Sequence, residues 1–287
     1  MKKPALLLGA LLFASLLAAC GDDAQSGDTR VVASFYPFAY VAEQVGGTHV
    51  DVDNLTSPGV EPHDVELKPK QVGSVQTADL VVYQRGFQSA IDNAVDRADR
   101  VKADVIDVAT LVPTDQDPHT WLDPRTLVAV SQAVASRLSE ADPDHAASYQ
   151  ANADRLEAQL VTLDEDFAAG LKTCRTRTIV TSHAAFGHLA ERYDLTQVPI
   201  AGIDPTNEPT PSELAEISTL VRREKITTVF TEALVSPAIA ETVARETGAR
   251  TASLDPVEGL SDITGDETYL TLMRRNLDEL RKANSCS

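Results

Sequence analysis

The sequence predicts an α/β protein of two similar lobes, each a central parallel sheet flanked by helices, joined by one long rigid helix. Three observations predict it. Short β-branched runs alternate with amphipathic helical stretches, the pattern of βαβ units and parallel strands. The two halves repeat one another at a nearly constant offset. Between them lies a single long stretch with apolar residues every three or four positions.

The elements follow in order. Residues 1–19 read as an export signal and are excluded from the fold. Lys2 and Lys3 open it, and the apolar run Ala5 to Ala19 is, at about fifteen residues, too short to span a bilayer, which takes about twenty. Its end, Leu17-Ala18-Ala19-Cys20, resembles a bacterial lipobox, which would make Cys20 the acylated first residue of the mature chain. Residues 20–28 are rich in Gly, Asp and Ser and suit a flexible tether. A lipid on Cys20 would hold the chain at the outer side of a bacterial cell membrane without a spanning helix. Cleavage would remove Lys2 and Lys3 and take the net charge from −18 to −20 over 268 residues. Such acidity excludes nucleic acid as a partner, because phosphate binding needs basic surface.

Residues 29–142 form the predicted first lobe. Val31-Val32-Ala33-Ser34 opens it as a strand and leads through Phe35-Tyr36-Pro37-Phe38, read as core, into a helix. A strand follows from Val50 to Leu55, then another at Ala78 to Tyr83. Residues 143–172 form the predicted connecting helix. Asp142-Pro143 supplies a capping carboxylate and a first-turn proline, and Tyr149, Ala153, Leu156, Leu160, Leu163, Phe167 and Leu171 line one face. Residues 173–287 form the second lobe. Ile179-Val180-Thr181-Ser182 repeats the opening strand at an offset of 148, Glu208-Pro209 repeats Glu61-Pro62 at 147, Phe230 repeats Tyr83 at 147, and Asp255 repeats Asp107 at 148. The two cysteines of the mature chain other than Cys20, Cys174 and Cys286, are expected to pair, since disulfides persist outside the cytoplasm.

Open parallel sheets bind ligands beyond the carboxyl ends of their strands. Three of the six histidines stand in loops suited to such a place. They are His63 in Glu61-Pro62-His63-Asp64, His119 in Asp117-Pro118-His119-Thr120-Trp121-Leu122-Asp123-Pro124, and His183 in Ser182-His183-Ala184-Ala185-Phe186-Gly187. Asp255, in Leu254-Asp255-Pro256-Val257-Glu258-Gly259, leaves a strand end in the same way. His49, His145 and His188 read as surface or packing residues, and Trp121 as a packing anchor for the His119 loop.

Taken together these segments resemble the cluster A-I (cluster 9) family of metal-binding solute-binding lipoproteins, which serve bacterial ABC importers for zinc or manganese. The resemblance covers the chain from about Thr29 to its end, and the motif around His119 is its most specific part. It implies two lobes on a rigid helix with one metal ion in the interlobe cleft, held by His63, His119, His183 and Asp255. Relatives that take manganese or iron commonly carry a carboxylate where this chain has His183. Three imidazoles and one carboxylate suit tetrahedral Zn²⁺, whereas manganese favours more oxygen donors. Zinc is therefore the expected cargo, with copper the competitor that nitrogen-rich sites bind more strongly. Glu61 and Glu208 are candidates to orient the imidazoles. Two departures from the zinc-binding pattern stand out. The loop from Leu111 to Asp117 is short and lacks histidine, and Val65 replaces a usual aromatic.

The expected function is capture of Zn²⁺ outside the membrane and delivery to a permease, by a monomer anchored through Cys20. The alternatives are a manganese or iron homologue, a zinc hydrolase and a surface adhesin. A hydrolase would need a positioned general base, and the chain has neither an HExxH helix nor a Ser-His-Asp arrangement. An adhesin finds no specific feature in the sequence.

Overall fold

The computed structural model describes residues 29–98, 104–114, 117–261, 264 and 267–287. The signal and Cys20 lie outside them, as does the tether.

Two four-stranded parallel sheets form the frame. The first contains β1 (Thr29–Ala33), β2 (Val50–Asn54), β3 (Leu80–Tyr83) and β4 (Val105–Asp107), in the order β2-β1-β3-β4. The second contains β5 (Thr178–Thr181), β6 (Thr196–Pro199), β7 (Thr228–Thr231) and β8 (Arg250–Ser253), in the order β6-β5-β7-β8. The same winding order in both bears out the repeat. In each sheet the strand order reverses between the two central strands, β1 and β3 or β5 and β7, which opens a crevice at their carboxyl ends.

Helices α1 (Tyr36–Gly46), α2 (Pro69–Thr77), α3 (Ser89–Arg97), α4 (Pro124–Ala141), α5 (Ala146–Leu171), α6 (Gly187–Arg192), α7 (Pro211–Glu224), α8 (Ala238–Thr247) and α9 (Tyr269–Ala283) cover the sheets. The period-two alternation of each strand decides which helices meet which face. Val31, Ala33 and Val82 point to a central core shared with Ile179 and Phe230 and filled by α1, α4, α5 and α9. Val32 and Val81 point the other way, under α3, while Val180 and Val229 lie under α7 and α8. Central strands buried on both faces explain why β1 and β3 read as unbroken apolar runs, whereas edge strand β2 alternates Val with Asp.

The long helix matches its sequence pattern. All seven residues of the predicted stripe, Tyr149 to Leu171, are buried to within 1 %. Its 26 residues rise about 39 Å. Its start differs from expectation. Pro143–His145 make one 3₁₀ turn before the α-helix begins, and the Asp142 carboxylate caps no backbone N–H. It instead accepts from the Tyr149 hydroxyl at 2.6 Å and pairs with His145 Nδ1 at 2.7 Å. Tyr149 sits on the buried face, so burying its hydroxyl requires an acceptor, and Asp142 supplies it. The His145 ring also stacks on His49, with centroids 3.8 Å apart, at the amino end of β2 and so at the end opposite the crevice.

The expected disulfide is present. Cys174 is bonded to Cys286 and pairs with it in an antiparallel bridge. Asn284 Nδ2 donates to the Thr176 carbonyl beside it. Among the described residues no helix is long and apolar enough to cross a membrane.

Candidate metal centre

The three singled-out histidines converge. His63 comes from the loop after β2, His119 from the loop between β4 and α4, and His183 directly from β5. His119 Nε2 lies 3.4 Å from His63 Nε2 and 3.3 Å from His183 Nε2. The fourth donor is Glu258, whose Oε1 is 3.3 Å from His119 Nε2, 3.5 Å from His183 Nε2 and 3.8 Å from His63 Nε2. These four atoms all lie within 4.8 Å of one another.

Each donor is held from behind. The Asp117 carboxylate accepts the His119 backbone N–H at 3.0 Å and meets Nδ1 at 2.7 Å. Gln84, the residue after β3, accepts from the Thr120 hydroxyl at 2.7 Å and donates to the Pro118 carbonyl, bracketing the loop. Glu232, the residue after β7, accepts the His183 backbone N–H at 3.2 Å and meets its Nδ1 at 2.7 Å. Gln197 Nε2 donates to the His183 carbonyl at 2.9 Å. Carboxylates on both Nδ1 atoms fix the tautomer that turns the Nε2 lone pair to the common centre. His63 is steadied by the edge of Phe87, with ring centroids 4.7 Å apart, and by Glu61, which accepts its backbone N–H at 3.0 Å.

Asp255, expected to complete the set, lies outside this group of donor atoms. One of its oxygens accepts the Val257 N–H at 2.8 Å and the other meets Arg275 at 3.2 Å, while Asn276 brackets its backbone on both sides. Asp255 thus fixes a turn, and the turn presents Glu258. Val257 adopts φ 56° while fully buried, a left-handed conformation that costs a β-branched residue about 1–3 kcal/mol. Glu61 and Glu208 do not orient an imidazole ring. Glu61 reaches only the His63 backbone, and Glu208 is exposed on the wall of a cavity of about 470 Å³ that Glu61 and Asp64 also line. His188 is no donor to the centre, yet its Nε2 meets the Asp117 carbonyl at 2.9 Å.

Sequence reasoning missed Glu258, Glu232 and Asp117. Glu258 and Asp117 lie inside the quoted motifs, three residues past Asp255 and two before His119. Glu232 carries one usable signal. It is the first residue past the strand next to β5, at the crevice where the order reverses.

The electrostatics suit a cation. Burial would push the His183 imidazolium down, but the Glu232 and Glu258 carboxylates outweigh it and raise its pKa to about 10. Burial would raise Glu258, yet the three surrounding imidazoles hold it well below the usual carboxylate range. Burial, reinforced by the Glu258 charge, pushes Glu61 up to about 8. Glu258 Oε1 is buried without a hydrogen-bond partner, a costly state that a bound cation would relieve. The distances around His119 suit a tetrahedral zinc shell, while His63 Nε2 stands wider, 3.8 Å from Glu258 Oε1. Donors about 2.0–2.1 Å from a tetrahedral Zn²⁺ stand roughly 3.3–3.4 Å from one another, close to the distances from His119 to its three neighbours.

Trp121 bolts the site's two sides together. Its Nε1 donates to the Pro256 carbonyl at 2.7 Å, two residues before Glu258, and its own carbonyl accepts from the Tyr269 hydroxyl at 2.7 Å.

Comparison with known proteins finds relatives described as zinc-binding. The family described as zinc-uptake complex component A, periplasmic, matches residues 31–283. The zinc-binding lipoprotein AdcA of Streptococcus pneumoniae is 33 % identical over 98 % of this chain, which spans 61 % of that longer protein. The high-affinity zinc uptake system protein ZnuA of Bacillus subtilis is 30 % identical, with 93 % of each chain covered. Among solved structures, the Zn(II)-bound ZnuA-like domain of S. pneumoniae AdcA aligns with a TM-score of 0.79 at 33 % identity, covering 90 % of this chain and 99 % of that one. The laminin-binding protein Lbp of Streptococcus pyogenes aligns with a TM-score of 0.80 at 32 % identity, covering 90 % and 100 %.

Proposed function

The chain belongs to the family of periplasmic zinc-uptake complex component A proteins, and from that membership we propose that it captures Zn²⁺ outside the cytoplasmic membrane and delivers it to the permease of an ABC importer. One observation carries the reading. Three Nε2 atoms and one buried carboxylate oxygen lie within 4.8 Å of one another, with two of the imidazoles held at Nδ1 by carboxylates so that Nε2 faces inward. The ligands in this reading are His63, His119, His183 and Glu258, two from each half. Residues 29–142 and 173–287 act as two jaws around the ion, with 143–172 as the stiff connection. Acylated Cys20 keeps the monomer beside its permease, as the lipoprotein among its relatives supports.

The donor chemistry separates this cargo from its rivals. Manganese and iron(II) prefer more oxygen and a higher coordination number than three nitrogens and one carboxylate supply. Four protein donors fill a tetrahedral zinc shell and leave no position for the activated water that a zinc hydrolase needs.

Equilibrium dialysis of the metal-stripped protein should show one Zn²⁺ per chain, with Mn²⁺ in excess displacing little of it. The doubly substituted His63→Ala/His183→Ala protein should bind at least 100-fold more weakly, since two of four ligands are gone. Unchanged stoichiometry and affinity in that variant would overturn the assignment.

A further inference from the structure

We propose that Gly187 is a positioning residue for the metal, acting through Asp117 on His119; the inference rests on the zinc reading above. Gly187 opens α6 in the second half, four residues past the ligand His183, and its φ is not positive. No backbone requirement therefore calls for glycine there. Space does. A Cβ at residue 187 would lie 2.3 Å from Asp117 Oδ2 and 3.5 Å from its Cγ, closer to the oxygen than real carbon atoms approach.

A carboxylate at the end of a free side chain could simply swing aside. Asp117 is not free. Its Oδ1 holds both the N–H and the Nδ1 of His119, at 3.0 and 2.7 Å. Its backbone N–H donates to the Thr114 carbonyl at 2.6 Å, and its carbonyl meets His188 Nε2 at 2.9 Å. With the main chain pinned at both ends, the carboxylate can escape a methyl group at 187 only by rotating, and rotation releases the His119 ring. The same Cβ would stand 3.9 Å from Gln197 Oε1, whose amide nitrogen holds the His183 carbonyl. The bare edge of Gly187 thus sits against the residue that aims His119, and one half of the molecule sets the orientation of a ligand belonging to the other. His188, which follows it, makes the second contact of this seam.

A double-mutant cycle tests the proposal. Zn²⁺ affinity is measured by chelator competition for the unaltered protein, Gly187→Ala, Asp117→Ala and the double variant, with the visible spectrum of bound Co²⁺ as a reading of ligand geometry. Gly187→Ala should weaken binding about 10–100-fold, the usual cost of losing a partner that orients a ligand, and should perturb the Co²⁺ bands. Asp117→Ala should do the same. The double variant should bind no more weakly than Asp117→Ala alone, because the atom that a methyl group displaces is then missing. An equal loss from Gly187→Ala in both backgrounds, or no loss at all, overturns the proposal. If Gly187→Ala fails to fold, recovery of folding in the double variant supports it and continued failure overturns it. Absence of zinc binding by the unaltered protein would instead overturn the zinc reading itself.

Discussion

At the scale of single residues, the loop from Asp255 to Glu258 divides two jobs between two carboxylates. Asp255 is spent on Val257 N–H, Arg275 and Asn276, and burial pushes its pKa up to about 6. Glu258 Oε1 has only the three imidazoles around it. Glu258→Gln, which removes the charge but keeps an acceptor oxygen beside the His183 imidazolium, should therefore weaken zinc binding with the turn intact, whereas Asp255→Ala should lower the metal-free thermal midpoint as well. Paired melting curves and titrations distinguish them, and equal behaviour would count against the division. Protons bear on the same site. With its pKa raised to about 10, His183 carries a proton at neutral pH when no metal is bound, and zinc needs that nitrogen bare. Binding should release a proton, and affinity should climb as pH rises toward 10; calorimetry in buffers of different ionisation enthalpy reads both. The three candidate imidazole donors were legible in the sequence because each follows a strand or abuts a proline-fixed loop. The fourth candidate, Glu258, was not, because Asp255 stands nearer the strand end, and the left-handed turn at Val257 lies between the two carboxylates.

At the scale of elements, Asp164 ties three helices. From α5 it accepts from Arg125 at the start of α4 at 2.8 Å, from Arg192 at the end of α6 at 2.6 and 2.9 Å, and from the Tyr193 hydroxyl at 3.0 Å. Burial would raise its pKa, but Arg192, Arg125 and Tyr193 outweigh it and hold the carboxyl at about 2. A depressed carboxyl stabilises the fold fully above its ordinary value near 3.8 and loses that contribution as pH falls toward 2. With both arginines partly exposed, the contribution is about 1–2 kcal/mol. Asp164→Asn should cost that much in urea unfolding at pH 7 and flatten the steepening of unfolding between about pH 4 and 2; an unchanged acid limb would refute the ion cluster. The elements themselves were readable from the sequence. Seven apolar positions at helical spacing gave α5, and β-branched runs gave the central strands. The opening of α5 was not, since Asp142 has two competing uses, capping a helix or receiving a buried tyrosine hydroxyl, and only the packing of Tyr149 decides between them.

At the scale of the molecule, the two sheets share one core threaded by α5 and α9, and Trp121 stitches the His119 loop to the Glu258 loop across the seam. A hinge through that core would have to break apolar contacts at about 1.5–3 kcal/mol per fully exposed side chain, so loading with zinc should leave the outline nearly unchanged. Solution scattering curves with and without metal should superimpose, and a fall in radius of gyration of several ångström on loading would contradict the stiff connection. The bridge between Cys174 and Cys286 has a further, mechanical consequence. It fastens the far end of the second half to the point just past the end of α5, across a sequence separation of 112. Tension applied beyond residue 286 crosses that bond directly and bypasses everything inside the ring. The second sheet and the two donors it supplies then bear no load, and roughly 400 Å of contour length stays locked away when the rest of the chain is drawn out.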